Sequence, residues 1–311
     1  MTGYQALRQS TAWIDLSTRG KIRVTGRDRA RLLHAMSTND VKNLAAGNGL
    51  YAFFLDNKGR ILIDTYIYNC GESLFLDTEP ETAGKLRDHL KKYIIADDAR
   101  LQDETAQWAA IGLEGPTSIP AAVELGISVP DKEYAIRDWG SGFAAHMAST
   151  GPQGIRIFLP NGEKDQFVQR LVAAAIPQAT DEEARTVRIE NAKPRYGEEI
   201  SDRYLVHETQ VLHAVHFNKG CYLGQEIVER VRSRGQVHRL LTPVRIQTDT
   251  PPAPGTKLVA NGEAAGELAS AAFSPALGEV VGMAYVRSYA LQNKPEMTVA
   301  ETEPAVKAYV R

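Results

Sequence analysis

HFNKGCYLGQEIVER, residues 216–230, places one of the two cysteines of a 311-residue chain between two glycines, behind a lysine and ahead of a run that reads as a helix. Gly220 and Gly224 leave the backbone free to take up positive φ, or to approach a ligand closely, on either side of Cys221. Gln225 to Arg230 read as helix, so Cys221 is expected just before a helix N-terminus, where exposed N–H groups and the macrodipole favour an anion. Lys219 adds a positive charge two residues away, and together these features predict a thiol pKa below the free value of about 8.5. The same pattern also suits a tight turn around a small buried cysteine, the usual state of a free thiol. The local sequence leaves both open.

Working outward, composition narrows the choices. The length exceeds the usual single-domain size, so two or three domains are expected. With 43% apolar and 24% charged residues the chain reads as an ordinary soluble protein. The start, MTGYQALRQSTAWIDL, has no apolar run of signal-peptide length, and no stretch approaches the ~20 apolar residues of a membrane span, so a cytoplasmic or organelle-matrix location is expected. Cys70 and Cys221 are too few for a disulfide framework or for a thiolate-ligated zinc or iron–sulfur site within one chain. A net charge of −2 gives no broad electrostatic footprint for nucleic acid.

Upstream, KIRVTG (21–26) reads as a strand and DRARLLHAM (28–36) as an amphipathic helix. LYAFFLDNKGRILIDTYIYN (50–69) is two β-rich runs around Asn57-Lys58-Gly59, a hairpin, and SLFLDTE adds a strand. Pro80 opens a helix running to Ile95. WAAIGLEGP (108–116) is a strand, and the region to about 162 is β-rich. EKDQFVQRLVAAAI (163–176) is an amphipathic helix; Thr180 and Glu183 form a capping box for another, which Pro194 stops. Downstream of Arg239, LLTPVRIQ, TKLVA, GELASAAF, EVVGMAYV and PAVKAYV are short strands punctuated by Pro, Gly and Asn, the pattern of a small barrel or sandwich.

KGCYLGQE (219–226) resembles the signature octapeptide of the YgfZ-type folate-binding proteins, relatives of the glycine-cleavage T-protein, an aminomethyltransferase. IDLSTRGKIRVTGRDRARLLHAMSTNDV, GLYAFFLDNKGRILIDTYIY and RIENAKPRYGEEI agree in order, so the similarity covers nearly the whole chain. The resemblance implies an α+β fold of three domains around a central hole. Residues 1–45 with 135–239 would form the first α/β domain, 46–134 a second, ferredoxin-like one, and 240–311 a β-barrel. It also implies tetrahydrofolate, or a one-carbon derivative, as cofactor, and iron–sulfur enzymes, including those that modify tRNA, as clients.

A pterin offers an N–H and NH₂ edge that a carboxylate can accept in two parallel hydrogen bonds. The resemblance gives that role to Glu190; the alternative is one more solvated charge on the helix from Asp181. It also sets two adjacent aspartates of the T-protein against Ile63 and Asp64, the first being the one associated with chemistry at the folate nitrogen. An isoleucine cannot shuttle a proton, which argues against T-protein-type aminomethyl transfer. Asp64 is left either to line the site or to face water. Around Cys221 the resemblance places Lys219 with the thiol in the chemistry, and Tyr222, Gln225, Glu226 and Arg230 beside the folate.

From His216 to Arg239 five Lys/Arg face two Glu, a patch able to meet a glutamate tail, an RNA phosphate at 230–239 or an acidic partner. Arg230 and Arg234 with Glu226 and Glu229 equally suit a solvated helix face. His207, His213, His216 and His238 fit no zinc spacing. The expected function is a tetrahydrofolate-binding accessory of iron–sulfur enzymes acting through Cys221. The alternatives are a folate-dependent one-carbon transferase and a folate sensor without thiol chemistry.

Overall fold

The computed structural model describes residues 1–235, 237–293, 295–302 and 305–310. Two five-stranded antiparallel sheets and a closed barrel organise them. The first sheet runs in the order Ala12–Asp15, Trp108–Glu114, Gly154–Pro160, Gly142–His146, Ile136–Trp139. The second runs Gly49–Leu55, Ile61–Asn69, Leu74–Thr78, Gly20–Thr25, Arg100–Asp103. The barrel closes six strands: Arg239–Ile246, Glu279–Arg287, Glu263–Ser274, Lys257–Ala260, Met297–Val299 and Lys307–Val310. The last strand and last domain, as read from the sequence, begin and end at Pro304 and Arg311, which lie outside the described residues.

The hairpin expected at Asn57-Lys58-Gly59 joins Gly49–Leu55 to Ile61–Asn69, with Gly59 at φ 72°. The capping box at Thr180 forms in full and starts the helix Asp181–Glu190. The helix expected from Pro80 to Ile95 is shorter: a 3₁₀ turn, Pro80–Thr82, leads into Ala83–Lys91. The chain must reverse at that point to lay Arg100–Asp103 against Gly20–Thr25, and Ile94 and Ile95 add little helix propensity.

Sheet membership cuts across the segments read from sequence. Gly20–Thr25, inside 1–45, pairs with Leu74–Thr78 and Arg100–Asp103 of the second sheet. Trp108–Glu114, inside 46–134, pairs on both sides within the first. The chain passes from the first sheet to the second between Asp15 and Gly20, and back between Asp103 and Trp108.

Each sheet buries one face under helices. Ile22, Phe54, Ile63 and Ile67 pack with Leu33 and Leu86 in the second unit, and Ile111, Ile155 and Ile157 with Phe167 and Leu171 in the first. The other faces meet each other through Tyr68 and Phe75 on one side and Phe143 and Phe158 on the other, in edge-to-face contacts across the two sheets, with Phe143 stacked on Phe158 within the first. Beside this aromatic contact the facing residues become charged, and a cavity opens.

Candidate functional site

The cavity, about 310 Å³, is lined by Arg156 from the first sheet, Tyr51, Asp64 and Tyr66 from the second, Arg19 from the link between them, and Glu79, Arg188, Arg195 and Glu198. Among the described residues none of the barrel lines it. Its floor is an ion-pair network. Asp77, fully buried, accepts from Arg19 Nε at 2.6 Å and from Arg156 Nη1. Arg19 also pairs with Glu79, which Arg195 Nε meets at 2.9 Å. Both buried guanidiniums sit over the Tyr66 ring, 5.3 and 5.9 Å from its centroid. Burial alone would raise the Asp77 carboxyl, but Arg156 and Arg19 hold it below the usual carboxylate range.

Asp64 behaves oppositely. On a strand successive side chains alternate faces, so Ile63 enters the apolar core while Asp64 points into the cavity. It is 4% exposed; Tyr51 Oη donates to its Oδ2 at 2.6 Å, and its Oδ1 has no partner among the described residues. Burial, then the Glu79 charge, push its pKa up to about 7. Arg19 Nη2 and Arg156 Nε are likewise buried without partners among the described residues. Three unpaired charged-group atoms on residues lining one cavity point to a polar ligand, because such groups are otherwise satisfied in a native interior.

Among the residues singled out from sequence, all described, Asp64 alone lines this cavity. Glu190 is buried, not solvated, and lines a second cavity of about 480 Å³ with Arg8, Asn191 and Arg245. It takes Tyr4 Oη at 2.6 Å, Ser274 Oγ at 2.5 Å and an Arg8 guanidinium, tying the N-terminal helix Gly3–Gln9 and the barrel to the end of its own helix. Arg188, two residues earlier and so about 200° round the helix, lines the first cavity together with Asp181, Ala184 and Arg185 of the same helix.

The cysteine loop lies elsewhere, docked on the hairpin tip and the helix Arg29–Met36. Cys221 is exposed and lines neither cavity. Lys219 turns away to donate to the carbonyls of His34, Ser37 (2.7 Å) and Asn39 (2.9 Å) at that helix's C-terminal end. Its pKa is pushed down to about 8 by burial. Gly224, at φ 85°, precedes the helix Gln225–Arg234, and Gly220 does not need positive φ. Tyr222 is buried beneath the Lys219 ammonium, Gln225 is half-buried, and Glu226 is exposed. The basic patch is largely paired: Arg230 with Glu226, Arg232 with Glu229, Arg239 with Glu208. Gln236, inside 230–239, lies outside the described residues. Burial pushes the Cys70 thiol up to about 11. Among the described residues no group of three or more His, Cys, Asp and Glu is placed to hold a metal ion, and no helix is long and apolar enough to cross a membrane.

Arg19, Asp77, Glu79, Arg156 and Arg195 escaped the sequence reading. A signal existed for two of them: Arg156 in GIRIFLP and Asp77 in LFLDT are lone charges inside strands buried on both faces, where an ion requires a partner.

Residues 2–219 match the family described as GCVT N-terminal domain, and residues 239–310 the glycine cleavage T-protein C-terminal barrel domain. The chain is 28% identical to an aminomethyltransferase of Rubrobacter xylanophilus over 290 residues, covering 91% of this chain and 78% of that protein. It is 29% identical to an aminomethyltransferase of Streptomyces coelicolor, covering 90% and 79%. The crystal structure of the glycine cleavage system aminomethyltransferase T from Bartonella henselae superposes with a TM-score of 0.91 at 19% identity, covering 99% of this chain and 87% of that one.

Proposed function

The chain belongs to the glycine cleavage T-protein family, and on that premise we propose that it binds tetrahydrofolate, or a one-carbon derivative, in the cavity between the two sheets. We further propose that it serves iron–sulfur enzymes in the cytoplasm as a YgfZ-type accessory through Cys221. The observation that carries the folate reading is Asp64: a buried carboxyl with one oxygen held by Tyr51 and the other unpaired, opposite buried arginine nitrogens that also lack partners.

The residues fit a pterin. Ionised Asp64 accepts from its N–H edge, Arg19 and Arg156 offer donors to its acceptors, and the Tyr51 and Tyr66 rings give apolar flanks. A volume of about 310 Å³ lies at the lower end of small-ligand pockets, roughly 300–1,000 Å³, which suits a bicyclic head with its tail toward solvent. Bound folate would supply nitrogens able to carry a one-carbon unit. Tyr51 holds Asp64 in one orientation, and the Asp77 network keeps both arginines charged and fixed.

The accessory role rests on Cys221 standing exposed on a loop whose neighbours are anchored, apart from the cavity. Titrating tetrahydrofolate into the wild type and Asp64→Asn, by calorimetry, tests the first part: binding that weakens at least tenfold in the variant supports it, and wild-type protein that binds no folate overturns it. Cys221→Ala in a deletion strain tests the second. Loss of iron–sulfur enzyme activity supports the thiol's role, and full rescue removes it.

One observation favours a second reading, one-carbon transfer from an amine. Ile63, whose presence argued against it, faces the core, whereas the carboxyl facing the cavity is present and has a pKa suited to proton exchange near neutrality. Folate-dependent turnover of a methylamine-type donor, lost in Asp64→Asn, would support it.

A further inference from the structure

We propose that Arg195 is the receptor for a carboxylate carried on the tail of the ligand at the cavity mouth, and that Glu81 occupies it as an exchangeable placeholder. The inference rests on the folate-binding reading of the cavity and adds the residue that selects ligands with an anionic tail.

Arg195 lines the cavity with a side chain 28% exposed. Its Nε meets Glu79, a buried wall residue, at 2.9 Å, while its Nη2 reaches outward to Glu81 at 2.6 Å. The two acids differ in kind. The Glu79 side chain is 10% exposed and shared with Arg19, whereas that of Glu81 is 49% exposed. An ion pair with so exposed a carboxylate contributes little to stability, so exchanging Glu81 for another carboxylate is nearly neutral in the protein's own interactions. The inner pair, by contrast, cannot be broken without stranding a buried charge.

The backbone fixes where the exchange takes place. Arg195 N donates to Glu199 Oε2 at 2.8 Å, and its carbonyl accepts from the amides of Glu198, Glu199 and Ile200 at 3.1–3.3 Å. Glu199 in turn is locked by Arg188 at 2.8 Å. The guanidinium is therefore presented from a rigid turn, with one outward-facing edge. Gly197, at φ 93°, lies under the outer pair: a Cβ there would come within 3.1 Å of Glu81 Oε1 and 3.3 Å of Arg195 Nη1. A planar guanidinium matches a carboxylate in two parallel hydrogen bonds, which Glu81, held by one nitrogen, does not use.

The test compares two probes, 5-formyltetrahydrofolate and tail-less 6-methyltetrahydropterin, on wild type, Arg195→Gln and Glu81→Gln, by fluorescence titration at low and moderate salt. Expected are a fall of at least tenfold in the ratio of folate to pterin affinity in Arg195→Gln, where loss of the Glu79 contact and of a positive charge near Asp64 weakens both probes, and a severalfold gain for folate alone in Glu81→Gln. Equal weakening of both probes in Arg195→Gln, or an unchanged ratio of the two in both variants, overturns the assignment of Arg195 while leaving the cavity as the folate site. Wild-type protein that binds neither probe overturns the cavity reading and this inference with it.

Discussion

Tyr51 Oη donates to Asp64 Oδ2 at 2.6 Å, and among the described residues this is the one hydrogen bond that the buried Asp64 carboxyl receives. Burial and Glu79 act against the ionised form, and the Tyr51 hydrogen bond, Arg19 and Arg195 act for it, leaving the pKa at about 7. The carboxyl is poised to change state where a ligand would need it to.

The first prediction follows from that value. Between the ordinary 3.8 and about 7 the folded protein keeps a proton on Asp64 that the unfolded chain has released. Stability therefore falls as pH rises through this window, by on the order of 4 kcal/mol at 1.36 kcal/mol per pKa unit. Asp64→Asn removes the dependence. In urea denaturation the variant should match wild type near pH 4.5 and exceed it at pH 8. Parallel stability curves for the two proteins would show that Asp64 is not a buried carboxyl of this kind.

Asp77 supplies the opposite sign. Its pKa is held low by Arg156 and Arg19, so its contribution is present above the usual carboxylate range and is lost on acidification. Arg156 is 1% exposed and also reaches Ser149 Oγ at 2.5 Å. Arg156→Met leaves Asp77 with Arg19 alone and should destabilise by about 3–5 kcal/mol, because it strands a buried charge. Arg156→Lys should recover little, since one ammonium cannot reproduce the forked contact. Urea midpoints at pH 7 decide this, and a loss under about 1 kcal/mol would contradict the network as described.

The legible parts of this fold are those governed by residues close in sequence. Thr180 with Glu183 specifies a helix start, Asn57-Lys58-Gly59 a hairpin, and the Pro- and Gly-spaced runs after Arg239 the short strands of a barrel or sandwich, which the structure closes as a barrel. The site was less legible because its parts are brought together by tertiary packing. Arg19 meets Asp77 and Arg195 meets Glu79 across long separations that carry no local pattern. Direction was lost as well: Arg188 and Glu190 share a helix, yet one faces the cavity and the other the barrel. Lys219 read as a neighbour to Cys221 in charge, whereas its three donors are taken by main-chain carbonyls that cap a helix 180 residues away in sequence.

The two glycines around Cys221 separate the loop's backbone requirement from its composition. Gly224 sits at φ 85°, and a Cβ on it would lie 2.6 Å from the Asp56 carbonyl oxygen and 2.8 Å from Leu55 Cβ, atoms of the hairpin tip. Left-handed backbone alone costs a side-chain-bearing residue roughly 1–2 kcal/mol, and the contact with a fixed carbonyl adds to it. A Cβ on Gly220 would meet only His34 Nε2, at an ordinary 3.5 Å, and Gly220 does not adopt positive φ. Gly224→Ala should therefore lose at least about 1–2 kcal/mol, and Gly220→Ala should stay within about 0.5 kcal/mol of wild type. The rate of Cys221 alkylation read alongside adds a second criterion: it should change in Gly224→Ala, where the loop is forced off the hairpin, and hold in Gly220→Ala. Equal stability and equal alkylation rates in the two variants would mean that the loop does not seat on Leu55 and Asp56, and that the exposure of Cys221 is set by something other than this docking.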